Sequence, residues 1–359
     1  MKSKIYLSDE GYGHIVRQKA ISDSISSILD NEISFTIQTH NYLEVAKTVF
    51  TTGNFINKYN NISWAKLKDG SPDLEKINSY YKNYKLISNE YISNEENISN
   101  YDFLISDFVY EAFDLGLQKK IPTFGVAHFT WDWFFSKLYP PAIKNDLIDY
   151  FLKMSKKASR IYFPPFTPKE ILNHYKNAVN VPLIVRKKGF KKPITKNDNF
   201  KILIIDSGSG ILKSYIQKAL KTVNKFNDIT FYVPDLYDID FDNIVKISFD
   251  QLLIDYIDSV DLVISRAGFN TISECIACRT PMLLIGESMN PEINENIINL
   301  KLSGLASFIS LDNFKDSLHK FLPNFIKNEY KTLRYNMSNH EMKTNGAEVI
   351  AKDILNYIN

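Results

Sequence analysis

His14 lies in a stretch whose residue types suit both proton transfer and phosphate binding. The sequence around it reads SDEGYGHIVR, directly after the apolar run KIYL, with Gly11 and Gly13 just before the histidine. Glycines let the backbone turn tightly and let a ligand approach it closely. A histidine at the start of a helix can remove a proton as a general base, or hold a phosphate as an imidazolium. The alternative is a simple strand-to-helix turn with a capping histidine, and the Gly-x-Gly spacing alone leaves both interpretations open.

Two further clusters follow apolar runs in the first half of the chain. Asp107 ends the run FLISD, where a carboxylate can take part in catalysis or merely cap the next helix. His128 ends the run GVAH and is followed closely by Trp131 and Asp132. Because aromatic rings stack on sugar faces and carboxylates accept hydrogen bonds from sugar hydroxyls, these three are candidates for acceptor or sugar binding. The alternative for them is helix packing.

A loop of small residues follows the run KILIID in the second half. It contains Ser207, Gly208, Ser209 and Gly210. Such a loop exposes backbone N–H groups before a helix, an arrangement that attracts phosphate. The Lys-Ser pair that follows invites comparison with a P-loop, but Leu212 stands where that motif requires glycine. The loop therefore predicts a phosphate site, and the missing P-loop glycine argues against an ATPase.

The most informative stretch reads DLVISRAGFNTISEC. A strand is expected to deliver Arg266 and Gly268 to the start of a helix, with Asn270 and Thr271 in the turn that opens it. Glu274, one turn later, can accept hydrogen bonds from both hydroxyls of a ribose. The structural alternative is a capping box, in which Thr271 caps the helix and Glu274 stands three residues on.

Alternating apolar runs and helical stretches must position these residues. One helical stretch, residues 15–29, places Ile21, Ile25, Ile28 and Leu29 on one face. Strand candidates recur in both halves, the last of the first half being VPLIV, which predicts α/β structure with mostly parallel sheets. The expected fold is therefore two Rossmann-like domains that face a cleft. Ligands are expected in that cleft, because parallel sheets bind them beyond the carboxyl ends of their strands.

The domain boundaries follow from a polar, basic stretch in the middle of the chain. We expect a first domain at 1–185, a linker at 186–199, a second domain at 200–345 and a C-terminal helix at 346–359 that can cross back to the first domain. Residues 54–100 lack regular patterning and predict helices and loops. The basic residues of 186–196 suit a solvated linker, and contact with an anionic membrane surface is the alternative.

Composition narrows the class of protein. With 43 basic and 41 acidic residues the net charge is +2, which argues against nucleic acid as a partner. The two cysteines, Cys275 and Cys278, form no disulfide framework and fit a reducing compartment. The N-terminus has no apolar stretch long enough for a signal peptide, and no run approaches the roughly 18 apolar residues of a membrane span. We therefore expect a cytoplasmic protein.

These motifs resemble a known group of enzymes. DLVISRAGFNTISECIA, followed by PMLLIG and SGLA, resembles the C-terminal domain of GT-B glycosyltransferases, nearest to family 28. GYGHIVR, LISDFVYEAFDLGLQKKIPTFGVAHFTWDWFF, YFPPFTP and VPLIVRK look like the glycosyltransferase-like region of L-arabinokinase and its stand-alone bacterial relatives. The kinase half of L-arabinokinase has no counterpart here, so no sugar-kinase activity follows.

The resemblance implies roles for the residues that match it. The first domain would bind the acceptor and the second the nucleotide-sugar donor. Gly13 and the loop 207–210 would face the diphosphate, and Phe249 and Asp250 would lie beside the nucleobase. Glu292, in the polar stretch MNPEINEN, is a candidate for sugar contact or for helix capping. Many relatives carry an acidic residue followed by Gln where this chain has Glu292 followed by Ile, which leaves the donor sugar undetermined.

The resulting prediction is a glycosyltransferase that moves a sugar from a nucleoside diphosphate, expected to be UDP, to the hydroxyl of a carbohydrate or small-molecule acceptor. His14 or Asp107 would act as the base. By resemblance the reaction inverts the anomeric centre. It needs no metal or other cofactor, since N–H groups, helix dipoles and Arg266 can meet the diphosphate charge. The alternatives are a nucleotide-sugar hydrolase of the pseudaminic-acid-pathway type and a non-catalytic nucleotide-sugar-binding protein. The oligomeric state is left open.

Overall fold

The protein folds into two units, each built on a parallel sheet. The computed structural model describes residues 1–58, 65, 67, 72–95, 98–138, 145–189, 199–206, 210, 212–248, 253–286 and 290–359. One unit comprises Met1–Ile184 with Asn345–Asn359, and the other comprises Val185–Thr344. The predicted α/β fold class with parallel sheets is confirmed.

The sheet of the first unit has seven strands in the order β3-β2-β1-β4-β5-β6-β7. The strands are β1 Lys2–Tyr6, β2 Ser34–Thr39, β3 Asn54–Asn57, β4 Phe103–Ser106, β5 Thr123–Val126, β6 Arg160–Phe163 and β7 Ala178–Asn180. In the register of the central strands, Ile5 pairs with Ile37 on one side and Ile105 on the other. Strands such as FLIS are wholly buried, as expected where helices cover both faces.

Helices cover the two faces of this sheet. They are α1 Tyr12–Ile28, α2 Leu43–Val49, α3 Leu74–Lys82, α4 Tyr84–Ser93, α5 Tyr110–Lys119, α6 Trp131–Leu138, α7 Asn145–Ser155, α8 Lys169–His174 and α15 Gly346–Ile358. One core lies under α1, α2 and α15 and contains Ile21, Ile25 and Ile354. The other lies under the helices from α3 to α8 and is rich in aromatic side chains. In the predicted stripe of α1, Ile28 is the exception, because it is 43% exposed.

The sheet of the second unit has six strands in the order β10-β9-β8-β11-β12-β13. The strands are β8 Phe200–Ile205, β9 Ile229–Pro234, β10 Ile244–Ile247, β11 Leu262–Arg266, β12 Met282–Ile285 and β13 Ser307–Ile309. The helices are α9 Lys213–Leu220, α10 Leu253–Ile257, α11 Phe269–Cys278, α12 Pro291–Ser303, α13 Leu311–Asn328 and α14 Tyr330–Asn339. Asn290 caps α12 through its side chain, which accepts from the Ile293 N–H at 3.2 Å.

The structure differs from the sequence-based expectation in two strands. VPLIV is not a strand, since it contributes only an isolated bridge from Ile184 to Asn345, and the edge strand β7 lies just before it. Conversely, β3 lies in the region expected to hold helices and loops. Its sequence NFIN has too few apolar residues to show a strand pattern.

The first residues of the expected linker are bound to the second unit. Lys188 pairs with Asp258 at 2.5 Å, and the Gly189 N–H donates to Asp255 at 3.1 Å, both within the second unit. Residues 190–198 lie outside the described residues. At the end of the chain, α15 packs on α1, so the last helix belongs to the first unit. No helix among the described residues combines the length and apolar character needed to cross a membrane.

Candidate active site

Each sheet has one point where its strand order changes direction. In the first unit that point lies between β1 and β4, and in the second between β8 and β11. Loops that leave such neighbouring strands go to opposite faces and open a crevice at the carboxyl edge, where parallel sheets bind ligands. His14 follows β1 and Asp107 follows β4, while Gly210 follows β8 and Gly268 follows β11. Residues singled out from sequence therefore flank both crevices.

His14 and Asp107 form a direct pair. The distance from His14 Nδ1 to Asp107 Oδ2 is 2.7 Å. The Asp107 side chain is 1% exposed and that of His14 is 20% exposed, so the carboxylate is buried while part of the imidazole reaches solvent. Burial alone would raise the pKa of Asp107, but the guanidinium of Arg17 and the imidazole of His14 outweigh it and lower that pKa below its usual range. Asp107 is thus a carboxylate at neutral pH.

The local backbone does not use either residue as a helix cap. Helix α1 begins at Tyr12 with Gly11 as N-cap, so Gly13 and His14 lie in its first turn. Helix α5 has Val109 as N-cap, so the capping alternative for Asp107 is wrong. Phe108 adopts a left-handed backbone with φ of 54°, which a bulky residue rarely does. The chain therefore turns sharply just after Asp107. The turn carries backbone strain of the kind that clusters at functional sites.

Arg17 completes this cluster and was not singled out from the sequence. Its guanidinium donates to Asp107 Oδ1 and lies 3.2 Å from His14 Nδ1 and 3.3 Å from His128 Nδ1. The arginine is 3% exposed. The available signal was its position one turn after His14 on the same helix, since residues i and i+3 share a face.

The residues expected to bind an acceptor lie in the core. Trp131 is 3% exposed and packs against Phe134 and Phe135. Asp132 is 4% exposed and accepts from the Tyr175 hydroxyl at 2.8 Å. This placement corrects the expectation for Trp131 and Asp132, because neither presents a surface to a sugar. The reason is that α6 buries all four of its aromatic side chains. His128 alone of the three joins the His14 cluster.

In the second unit, β11 delivers a buried Arg266, 5% exposed, to the start of α11. The helix begins at Phe269, with Gly268 as N-cap and no side-chain cap. The capping-box alternative for Thr271 and Glu274 is therefore wrong, since Thr271 already lies inside the first turn, as does Asn270. The Asn296 amide donates to the Ala267 carbonyl at 2.9 Å and fixes this turn from α12.

Glu274 is buried and forms an ion pair. Its Oε1 lies 2.7 Å from Arg186 Nε, and the two side chains are 6% and 11% exposed. Burial raises the pKa of Glu274, and Arg186 opposes that shift. Sequence reasoning missed Arg186 because it stands 88 positions from its partner, in the stretch taken for a solvated linker.

The predicted phosphate loop is described only at its ends. Asp206 accepts from the Leu212 N–H at 2.8 Å and closes the loop, and Gly210 is exposed with φ of 71°. Ser207, Gly208 and Ser209 lie outside the described residues, as do Phe249 and Asp250. Glu292 lies in the first turn of α12 and is half-buried.

Comparison with known proteins identifies the fold. The chain superposes on the glycotransferase of kitacinnamycin with a TM-score of 0.66 at 12% identity, over 99% of this chain and 98% of the other. It superposes on Arabidopsis thaliana UGT89C1 complexed with quercetin with a TM-score of 0.65 at 10% identity, over 99% and 98% of the two chains. The glycosyltransferase SnogD from Streptomyces nogalater gives 0.62 at 13% identity, over 100% and 99%. The fold is GT-B.

Sequence comparison supports the GT-B assignment in the second half. Residues 203–354 match the model of the glycosyltransferase family 28 C-terminal domain. The UDP-N-acetylglucosamine–N-acetylmuramyl-(pentapeptide) pyrophosphoryl-undecaprenol N-acetylglucosamine transferase of Elusimicrobium minutum (strain Pei191) is 28% identical over 44% of this chain and 49% of its own length. The protein of that name from Clostridium botulinum (strain Loch Maree / Type A3) is 29% identical over 45% and 48%. The chain thus spans about half the length of these curated relatives.

These comparisons confirm the resemblance to GT-B glycosyltransferases and to the family 28 C-terminal domain. The resemblance of the first half to the L-arabinokinase region stays a prediction. Within the GT-B fold, the His14 cluster belongs to the first unit and the Arg266–Glu274 segment to the unit that carries the family 28 match.

Proposed function

We propose that this protein is a glycosyltransferase that moves a sugar from a nucleoside diphosphate to an acceptor hydroxyl. The proposed nucleoside diphosphate is UDP. The observation that carries the proposal is the pair of the buried Asp107 with the partly exposed His14, beside the strand-order reversal of a GT-B chain. The match of residues 203–354 to the family 28 domain supports a nucleotide-sugar donor.

In the proposed reaction, His14 acts as the general base. Asp107 holds the Nδ1 side of the ring, which leaves Nε2 to accept the proton of the acceptor hydroxyl. The hydroxyl oxygen then forms a bond to the anomeric carbon as the bond from that carbon to the diphosphate breaks. The nucleoside diphosphate leaves with the electron pair. Attack opposite the leaving group inverts the anomeric centre, as the family resemblance implies.

In the proposed donor site, the diphosphate lies at the N-terminus of α11. Backbone N–H groups at a helix N-terminus can donate to phosphate oxygens, and the buried Arg266 supplies positive charge at the start of α11. This arrangement supports transfer without a metal ion or other cofactor. Gly11, Gly13 and the 207–210 loop stay predicted phosphate contacts, and Glu292 stays a predicted sugar contact.

Glu274 is the proposed ribose ligand, and its pairing with Arg186 sets a condition on that role. A carboxylate has about four acceptor positions, so Arg186 does not exhaust them. The low exposure of Glu274 means that nucleoside binding must move the Arg186 side chain aside or enlarge the space next to it.

A nucleotide-sugar hydrolase is the second candidate, and one observation favours it. Trp131 and Asp132, the residues expected to hold an acceptor sugar, are buried in the core of the first unit. The His14–Asp107 pair can activate a water molecule by the same proton transfer that activates an alcohol.

A single experiment tests both candidates. The protein is screened by thermal shift against UDP-, GDP- and dTDP-sugars, because a ligand that binds the folded state raises the melting temperature. Each donor that binds is then incubated with and without a pool of sugar and small-molecule alcohols, and products are identified by mass spectrometry. Transfer predicts a new glycoside that depends on an alcohol, and hydrolysis predicts the free sugar at the same rate without one. The absence of any shift with all of these donors would contradict the proposal.

A further inference from the structure

Arg17 contacts three side chains of the first unit, namely His14 on its own helix and two from other elements. It lies on α1, while Asp107 follows β4 and His128 follows β5. Its Nη2 donates to Asp107 Oδ1, and its Nη1 lies 3.3 Å from His128 Nδ1. With Arg17 and His128 only 3% and 5% exposed, solvent does not compete for these contacts.

The chemistry of the guanidinium fixes the proton on His128. Arginine only donates hydrogen bonds and stays charged. A ring nitrogen that accepts from Arg17 therefore cannot carry a proton itself. His128 Nδ1 is such a nitrogen, so the proton of the neutral His128 ring lies on Nε2.

His14 must have the opposite tautomer. Its Nδ1 is 2.7 Å from Asp107 Oδ2, and an ionised carboxylate only accepts. That nitrogen therefore carries the proton and donates to Asp107. The 3.2 Å approach of Arg17 Nη2 to the same nitrogen is then a contact between two donors that share one carboxylate. Arg17 supplies the charge that keeps Asp107 ionised in its buried position.

We infer that Arg17 is a positioning residue that fixes His14 and His128 in opposite tautomers, with Nε2 of His14 as an acceptor and Nε2 of His128 as a donor. The inference rests on the proposed function for its catalytic meaning, but the tautomers themselves belong to the folded protein. An orienting partner that sets the tautomer of a histidine is a recurrent device in active sites.

The test compares the full-length protein with Arg17→Met, Arg17→Lys and a control, Lys19→Met. Lys19 is a cation on the same helix whose pair with Asp23 is exposed to solvent. Imidazole nitrogens are labelled with ¹⁵N, and two-bond ¹H–¹⁵N spectra at pH 8 assign the protonated nitrogen of each ring. Wild type and Lys19→Met are expected to show Nδ1–H for His14 and Nε2–H for His128.

The two Arg17 variants separate charge from geometry. Arg17→Met is expected to give mixed tautomers at both rings and, with a donor from the screen, at least about a tenfold loss of kcat with donor KM within twofold. Lysine can reach Asp107 but not both partners at once, so Arg17→Lys should keep the His14 tautomer and lose that of His128.

Three results would overturn the inference. One is a proton on Nδ1 of His128 in the wild type, a result that does not depend on whether any variant folds. Another is Arg17→Met with both wild-type tautomers, and the third is Arg17→Met with wild-type kcat. Expected tautomers in a protein that turns over no nucleotide-sugar would leave the inference standing and reject the proposed function.

Discussion

At the scale of single residues, the first unit treats its buried carboxyl groups in different ways. Asp107 has two nitrogen partners, Arg17 and His14, and its pKa is lowered despite burial. Among the described residues, Glu111 and Asp132 have hydroxyl donors but no cationic partner, and burial raises the pKa of both. A buried carboxyl without a countercharge favours its neutral form. Among these three groups, only Asp107 is therefore held as an anion that can orient a histidine.

The raised pKa of Glu111 predicts a stability that depends on pH. A group whose pKa is higher in the folded state stabilises the protein below its unfolded pKa, and this contribution is lost as the pH rises through the folded value. Glu111→Gln removes the titration and keeps the shape that accepts from Tyr84 at 2.7 Å. We expect the variant to gain at least about 1 kcal/mol over wild type at pH 8 and little at pH 4.

Urea unfolding at both pH values measures this difference. Glu90→Gln, on the exposed surface of α4, is the control and should follow wild type at each pH. An equal effect of Glu111→Gln at pH 4 and pH 8 would contradict the assignment of a raised pKa.

The sequence pointed to His14 and Asp107, which the structure pairs, but not to the residue that holds them together. Asp107 directly follows β4 and His14 lies in the helix turn after β1, positions that the preceding apolar runs indicate. Arg17 looked like one charged residue in a helix, because nothing in a single sequence indicates that β4 and β5 place Asp107 and His128 around it. Trp131 and Asp132 were assigned wrongly, since residue type alone does not distinguish a ring that packs in a core from one that faces a ligand.

At the scale of elements, the chain segment after Ile184 is held on α11. Arg186 pairs with Glu274, and the Lys188 and Gly189 contacts continue along α10 and its C-terminal turn. The sequence predicted a solvated linker here, because its lysines and glycine carry no periodic apolar signal. The wholly apolar strands were predictable, whereas this segment depends on charge pairing between residues far apart in the chain.

Removing one partner of the Arg186–Glu274 pair should destabilise the second unit more than removing both. Arg186→Met leaves the buried Glu274 carboxylate without a countercharge, which costs about 3 kcal/mol of the free energy of unfolding. This loss should grow as the pH rises, because Glu274 must then take up a proton to be buried in its neutral form. Arg186→Met combined with Glu274→Gln should recover part of that loss.

Denaturant unfolding of the single and double variants forms a double-mutant cycle that measures this coupling. Lys187→Met, at the neighbouring exposed position, is the control for removing a basic residue from the segment. Additive effects of the two single substitutions would show that the pair does not hold the segment to α11.

At the scale of the whole molecule, the end of the chain completes the first unit. Helix α15 buries Ile350 and Ile354 in the core under α1. Its first residue, Gly346, donates its N–H to the Leu183 carbonyl at 3.0 Å, next to the bridge between Ile184 and Asn345. The chain therefore leaves the first unit at Ile184 and returns to it at Asn345, and these two residues are bridged to each other.

Gly346 has no room for a side chain at the point where the chain returns to the first unit. A Cβ there would lie 2.2 Å from the Pro182 carbonyl oxygen and 2.8 Å from that of Leu183, both backbone atoms that cannot move cheaply. Gly346→Ala should cost about 2 kcal/mol or more of the free energy of unfolding. Lys352→Ala, exposed on the same helix, should change it by no more than about 0.5 kcal/mol. Thermal unfolding measures both, and equal melting temperatures for the two variants would contradict the described contact.

The most direct measurement is a comparison of UDP binding and turnover in His14→Ala and Glu274→Gln. Calorimetric titration should show that His14→Ala binds UDP within about twofold of wild type, while Glu274→Gln binds it at least about tenfold more weakly, the cost of a lost charged hydrogen bond. Turnover of the nucleotide-sugar should fall at least about a hundredfold in His14→Ala. Undiminished turnover in His14→Ala, or unchanged UDP affinity in folded Glu274→Gln, would contradict the division of the reaction between proton transfer at His14 and nucleotide binding at Glu274.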